Sequence, residues 1–213
     1  MVGNSPKPRI RLPTGRLCLA QTGIVCGMQK AGKHAKAAGG SPGAADFVVL
    51  VDEQDNEVGV AEKIAAHSDG GRLHRAFSIF VFDRRGYWLL QKRAPGKYHF
   101  PGLWTNTCCS HPRPGEKLEA AAHRRLREEM GFDCDLRELF CFTYRATHGN
   151  GLSEWEYDHV FEGTYEGGIK PARVEVDACE WFSPDSLAAD VNANPHKYTP
   201  WFKLAMSQVM SRR

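Results

Sequence analysis

Glu116–Met130 constrains the fold of this chain more than any other segment. Leu118, Ala122, Leu126 and Met130 recur every fourth residue and form one apolar stripe, and Gly131 follows at a C-cap position. A helix with a single stripe must bury it against something else, and the segments on both sides read as strands. Phe47–Val51, Val58–Glu62, His74–Phe82, Tyr87–Lys92, Leu139–Tyr144, Ser153–Tyr165 and Ala178–Phe182 are short runs rich in aromatic and β-branched residues. Polar turns separate them at Asp52–Glu57, Asp83–Gly86 and His148–Gly151. Thr105–Ser110 reads as a short extended piece, and Ala94–Trp104, with two prolines and two glycines, as a loop. Ser183-Pro184 and Thr199-Pro200 each place a capping residue before a proline, so each predicts a helix start. One central helix, many strands and two closing helices predict a single α+β domain over residues 46–213.

Residues 1–45 differ in kind. They are basic, with all 25 acidic residues of the chain lying beyond them, and rich in Gly, Ala and Pro. This composition predicts a flexible, disordered leader that turnover does not need, with organelle targeting as the other reading. The remaining body is mildly acidic, which argues against nucleic-acid binding. No apolar run is long enough to span a membrane, and no secretion signal is evident. Seven cysteines at irregular spacing read as reduced thiols, hence a cytoplasmic protein. No heptad or large apolar face is visible, so a monomer or weak oligomer is expected.

Chemistry concentrates in a few places. On a strand, Glu154 and Glu156 share one face, with Trp155 and Tyr157 on the other. Two such carboxylates are either solvated or share a cation. The same alternation groups Cys109 with His111 and sends Cys108 away; packed, inert thiols are the alternative. His67 and His74 flank a turn containing Gly70 and Gly71. Neutral imidazoles with carboxylates suit Zn²⁺, Mn²⁺ or Fe²⁺. On the helix, Arg125 and Glu129 are i,i+4 neighbours, read either as a surface ion pair or as a Mg²⁺ ligand beside a phosphate-binding cation. Lys63, Arg93 and Lys97 add positive charge in or beside loops.

Taken in order, AAHSDGGRLHRAFS, QKRAPGKYHFPGLWTNTCCSHP, AAHRRLREEMGF, FTYRATHGNGLSEWE and TPW resemble the type 1 isopentenyl-diphosphate isomerase family of the Nudix superfamily. The likeness runs from about Asp46 to the C-terminal helix. Against the superfamily pattern G-x5-E-x7-R-E-U-x-E-E-x-G-U, where U is bulky and apolar, Glu116, Arg124, Leu126, Glu128, Glu129, Gly131 and Phe132 fit. Ser110 stands at the opening glycine, where the isomerases have Cys-Gly-His. Arg125 replaces the first Glu after the Arg, which points away from pyrophosphate hydrolysis.

The resemblance implies a Nudix-like mixed sheet sandwiched between helices. It implies a first metal, Zn²⁺ or Mn²⁺, on His67, His74, His111, Glu154 and Glu156, and a Mg²⁺ on Glu129 and the Cys109 backbone carbonyl. Cys109 and Glu156, assisted by Tyr144, become the catalytic pair. Lys63, Arg93, Lys97 and Arg125 would bind the diphosphate of a small isoprenoid substrate, with Trp201 facing its hydrocarbon. Either member of the pair can be acid or base; the favoured assignment has Glu156 with Tyr144 donate the proton and Cys109 accept one. The rival readings are a Nudix hydrolase of a nucleoside diphosphate derivative and a zinc-stabilised, non-enzymatic binding module.

Overall fold

His74–Phe82 runs through the middle of the molecule with both faces covered, and its alternation shows why. Phe77, Ile79 and Val81 point to one apolar cluster, and Phe80 and Phe82 to another. The computed structural model describes residues 19–20, 46–149 and 151–213. In chain order the elements are β1 (Leu19–Ala20), β2 (Phe47–Val51), β3 (Glu57–Glu62), α1 (Lys63–His67), β4 (His74–Phe82), β5 (Trp88–Arg93), β6 (Trp104–Thr105) and β7 (Cys108–Ser110). There follow α2 (Leu118–Met130), β8 (Leu136–Thr147), β9 (Ser153–Thr164), β10 (Val176–Phe182), α3 (Pro184–Ala193), a 3-10 turn (Pro195–Lys197) and α4 (Pro200–Ser211). The expected leader lies outside the described residues except for β1, which pairs in parallel with β8 at Phe142 and Thr143.

The sheet is mixed. Its path is β1-β8-β9-β4-β2-β3, and β4 lies parallel to β9 along its whole length, from His74 opposite Glu156 to Phe82 opposite Thr164. The other edge of β4 pairs in turn with β2, β7 and β5. Helix α2 covers one face, burying Ala122, Leu126 and Met130 against Phe77, Ile79, Val81 and Phe161. Helices α3 and α4 cover the other, where Leu187, Phe202, Ala205 and Val209 pack on Phe80, Phe142 and Val160. This is the expected α+β sandwich.

Local chemistry explains the departures from expectation. Helix α1 is an addition: five residues show no period, but the Glu62 carboxylate caps it by accepting from the Ile64 and Ala65 amides. Helix α2 starts at Leu118 because Glu116 stays outside, accepting hydrogen bonds from the Arg113 amide and from Arg124. Gly131 ends it in the left-handed region at φ 73°, where a Cβ would run into the Lys170 carbonyl. Ser183 caps α3 by accepting from the Ser186 amide. Thr199 precedes α4 without capping it, since its hydroxyl pairs with that of Thr105 at 2.8 Å.

Candidate active site

Three strands and one short helix aim polar side chains at one point. Helix α1 ends in His67, β4 begins with His74, β9 carries Glu154 and Glu156, and His111 follows β7. The imidazole of His67 faces the Lys63 carbonyl through Nδ1, and His74 Nδ1 lies 2.7 Å from the Arg72 carbonyl. A carbonyl only accepts, so both Nδ1 atoms carry hydrogen, and in the neutral rings both Nε2 atoms present bare lone pairs. Those lone pairs converge on other acceptors. His67 Nε2 lies 2.8 Å from Glu154 Oε2, and neither atom has a hydrogen-bond partner. His111 Nε2 lies 3.2 Å from His74 Nε2 and 2.8 Å from Glu156 Oε1.

Buried lone pairs do not face one another without something positive between them. Donors about 2 Å from a common ion sit roughly 3 Å from each other, which is the spacing seen. His67, His74, His111 and Glu156 form one set whose ligand atoms all lie within 4.8 Å of one another, and Glu154 joins through His67 and His99. The donor set therefore fits a divalent cation. Burial pushes the His111 imidazole down to about 3, leaving it neutral as a metal ligand needs.

His111, Glu154 and Glu156 of this cluster line a cleft of about 420 Å³ together with Cys109, Tyr144, Trp201, Lys63, Arg93, Lys97, Arg125 and Glu129. Cys108 points away into the core under α2. Ser110 has ordinary extended backbone in β7, so that position does not require glycine. The Tyr144 hydroxyl donates to Glu156 Oε2 at 2.6 Å. Burial and the charge of Glu154 push Glu156 up, while the His111 and His74 side chains that face it pull it down, to about 2. Burial pushes the Cys109 thiol up to about 12, against the pull of Arg93, whose Nη1 lies 3.8 Å from Sγ. Trp201 is fixed by donating its indole N–H to Asn106 Oδ1 at 3.2 Å, with the Arg93 guanidinium over its ring at 5.4 Å.

The cations are crowded. Burial, and then Lys97, lower the Lys63 pKa. Arg125 ion-pairs with Glu128, Glu129 and Glu175, and Lys97 with Glu175. The Nε atoms of Arg113 and Arg125 are buried without partners, donors that suit an anion.

Four residues here escaped the sequence reading. Arg113 and Glu175 sit in irregular segments where one charge among many carries no period. His99, in the loop after Arg93, has Nδ1 at 2.8 Å from Glu154 Oε1. Asp158 continues the Glu154–Glu156 face, and simple alternation along β9 would have found it. Burial, and then the Glu156 charge, push its pKa well up, and it accepts from the Ser78 hydroxyl at 2.8 Å.

Residues 72–202 match the NUDIX domain. A crystal structure of a MutT NUDIX hydrolase from Burkholderia pseudomallei superposes at a TM-score of 0.52 with 22% identity, covering 65% of this chain and 98% of that one. That of the MutT protein of Methanosarcina mazei superposes at 0.52 with 16% identity, covering 66% and 94%. These establish the class as a Nudix fold. More similar in sequence is isopentenyl-diphosphate Delta-isomerase 2 of Aromatoleum aromaticum, 52% identical over 79% of this chain and 88% of that one. The protein of the same name from Photorhabdus laumondii is 54% identical over 74% and 89%. The chain belongs to the isopentenyl-diphosphate Delta-isomerase family.

Proposed function

We propose that the chain interconverts isopentenyl and dimethylallyl diphosphate through a tertiary carbocation, with Cys109 and Glu156 moving the protons. The observation that carries this reading is one cleft holding a thiol, a Tyr-bonded carboxylate and an indole beside a cluster of cations.

The diphosphate does no chemistry. Lys63, Arg93, Lys97 and Arg125 bind it, and its charge relieves their mutual repulsion, so binding energy holds the short hydrocarbon in place. Glu175 already pairs with Lys97 and Arg125, so an arriving diphosphate competes with it. Glu129 and the Cys109 carbonyl would hold a Mg²⁺ that offsets diphosphate charge. His67, His74, His111, Glu154 and Glu156 would hold Zn²⁺ or Mn²⁺, whose positive charge favours the ionised form of Glu156.

Protonating the terminal methylene of the alkene gives the tertiary cation, and removing a proton from the carbon nearer the diphosphate restores a double bond. The pair must therefore carry one proton and offer one vacancy. Burial raises the Cys109 thiol, and the side chains facing Glu156 lower its carboxyl, a difference that favours the proton on sulfur. A cycle starting there has Cys109 donate and Glu156 accept, the second of the two assignments open in the sequence. Arg93 beside Sγ steadies the thiolate left behind. Trp201 faces the cation; a desolvated contact of this kind is worth about 2 kcal/mol, roughly thirtyfold in rate. The buried walls keep out water that would trap the cation as an alcohol.

The free state of Cys108, Cys109, Cys134, Cys141 and Cys179 supports a cytoplasmic setting. Proton NMR of the metal-loaded protein with isopentenyl diphosphate, Mg²⁺ and trace Zn²⁺ in deuterated water tests the isomerase reading. Dimethylallyl diphosphate carrying solvent deuterium is the expected product. An unchanged olefin in a folded, loaded sample overturns the isomerase reading and moves attention to nucleoside diphosphate hydrolysis.

A further inference from the structure

The metal cluster and the diphosphate cations are joined by one residue outside both sets. His99 lies in the loop between β5 and β6 and is buried. Its backbone carbonyl accepts from Arg93 Nε at 3.2 Å and from Arg93 Nη2 at 3.0 Å. Its ring reaches the other way, with Nδ1 at 2.8 Å from Glu154 Oε1. The next residue, Phe100, takes the left-handed region at φ 42°, so the loop is held in a costly conformation rather than resting in an easy one.

His67, His99 and Glu154 could themselves be read as a second metal site. One lone pair decides against it. His67 Nδ1 is committed to the Lys63 carbonyl, so His67 offers only Nε2, and that atom already belongs to the set with His74, His111 and Glu156. A single lone pair does not serve two ions. His99 Nε2 is buried without a partner, whereas Nδ1 has a carboxylate oxygen in reach, so the ring hydrogen belongs on Nδ1.

We propose that His99 is a positioning residue for the metal centre: its Nδ1–H fixes Glu154 Oε1 so that Oε2 turns toward the ion, while its backbone carbonyl aims Arg93 at the diphosphate. The inference rests on the metal centre proposed above. Metal-bound carboxylates are held by outer hydrogen bonds of this kind, and losing one typically costs about 10–100-fold in metal affinity.

The test compares the full chain with His99→Ala and His99→Gln, measuring Zn²⁺ affinity by competition with a chromophoric chelator. Thermal melts of the metal-free proteins check folding. The expected result is a 10–100-fold weaker affinity for His99→Ala, with most of the loss restored in His99→Gln, whose amide N–H can reach the carboxylate. The Co²⁺-substituted protein should keep its visible bands in His99→Ala, because no direct ligand is lost. With Zn²⁺ saturating, KM should stay within about twofold of the parent, since the carbonyl that holds Arg93 is backbone. Equal affinity in His99→Ala, or no rescue by Gln, overturns the proposal. A changed Co²⁺ spectrum, or two Zn²⁺ per chain falling to one, would make His99 a ligand and overturn it as well. A parent chain that binds no Zn²⁺ overturns the metal centre itself, and is distinguishable because it fails before any substitution is made.

Discussion

Cys108 and Cys109 are neighbours with different surroundings, and strand alternation separated them from sequence alone. Cys109→Ala should lower turnover by about 10³-fold, the scale of a lost proton-transfer group. Cys108→Ala should keep turnover near the parent value while lowering the melting temperature, because it opens a small void under α2. Steady-state rates of the two variants check this, and similar rates would remove Cys109 from the chemistry. The protonation state can be read separately. With the thiol at about 12, alkylation of Cys109 by iodoacetamide should rise about tenfold per pH unit through pH 9, because the thiolate is the nucleophile. A plateau near pH 7 would show an ionised sulfur instead. Strand and helix periods grouped Cys109 with His111, Glu154 with Glu156 and Arg125 with Glu129, whereas the loop cations and Trp201 took their roles from the family resemblance. His99 and Arg113 became visible only when the chain brought their loops onto the site.

Among the elements, the β2–β3 turn is fastened by charge. His159 is buried, with Nε2 at 3.0 Å from Asp55 and Nδ1 at 3.0 Å from Glu138, while Arg75 donates to Asp55 at 2.7 Å. Burial lowers the His159 pKa, but the two carboxylates outweigh it and raise it above the ordinary 6.5. The bonus to folding is thus complete below 6.5 and is lost as pH climbs through the raised value. Asp55 behaves oppositely: burial pushes it up, His159 and Arg75 pull it below 3.8, and its bonus fades on acidification. His159→Asn should cost about 3 kcal/mol near pH 6 and flatten the fall in melting temperature between pH 6.5 and 9. An unchanged slope in the variant would dismiss the latch. On α2, Glu129→Gln should raise KM severalfold and leave Zn²⁺ content unchanged, measured by kinetics and metal analysis. Loss of Zn²⁺ would merge the two proposed metal sites. The helix and most strands were legible because their periods are long, whereas α1 spans one turn and Thr199 spends its hydroxyl on Thr105.

At the scale of the molecule, α4 both seals the core and delivers Trp201. Phe202→Ala should cost about 3–5 kcal/mol and raise KM as well, because the same turn carries the indole; denaturation and kinetics on one preparation check both. The sandwich was readable from element order, but the crossing that makes β4 and β9 parallel neighbours was not, since no local pattern encodes which distant strands meet. That ladder has a larger consequence. His74 lies opposite Glu156, and the Ser78 hydroxyl bonds Asp158 a few rungs along. One residue inserted just before Glu154 would present Trp155 and Tyr157 to the floor of the cleft and turn every acid outward. The protein should therefore accept many point changes along β9 yet no single-residue insertion or deletion there. Its chemistry is written as a reading frame, held in hydrogen bonds rather than codons.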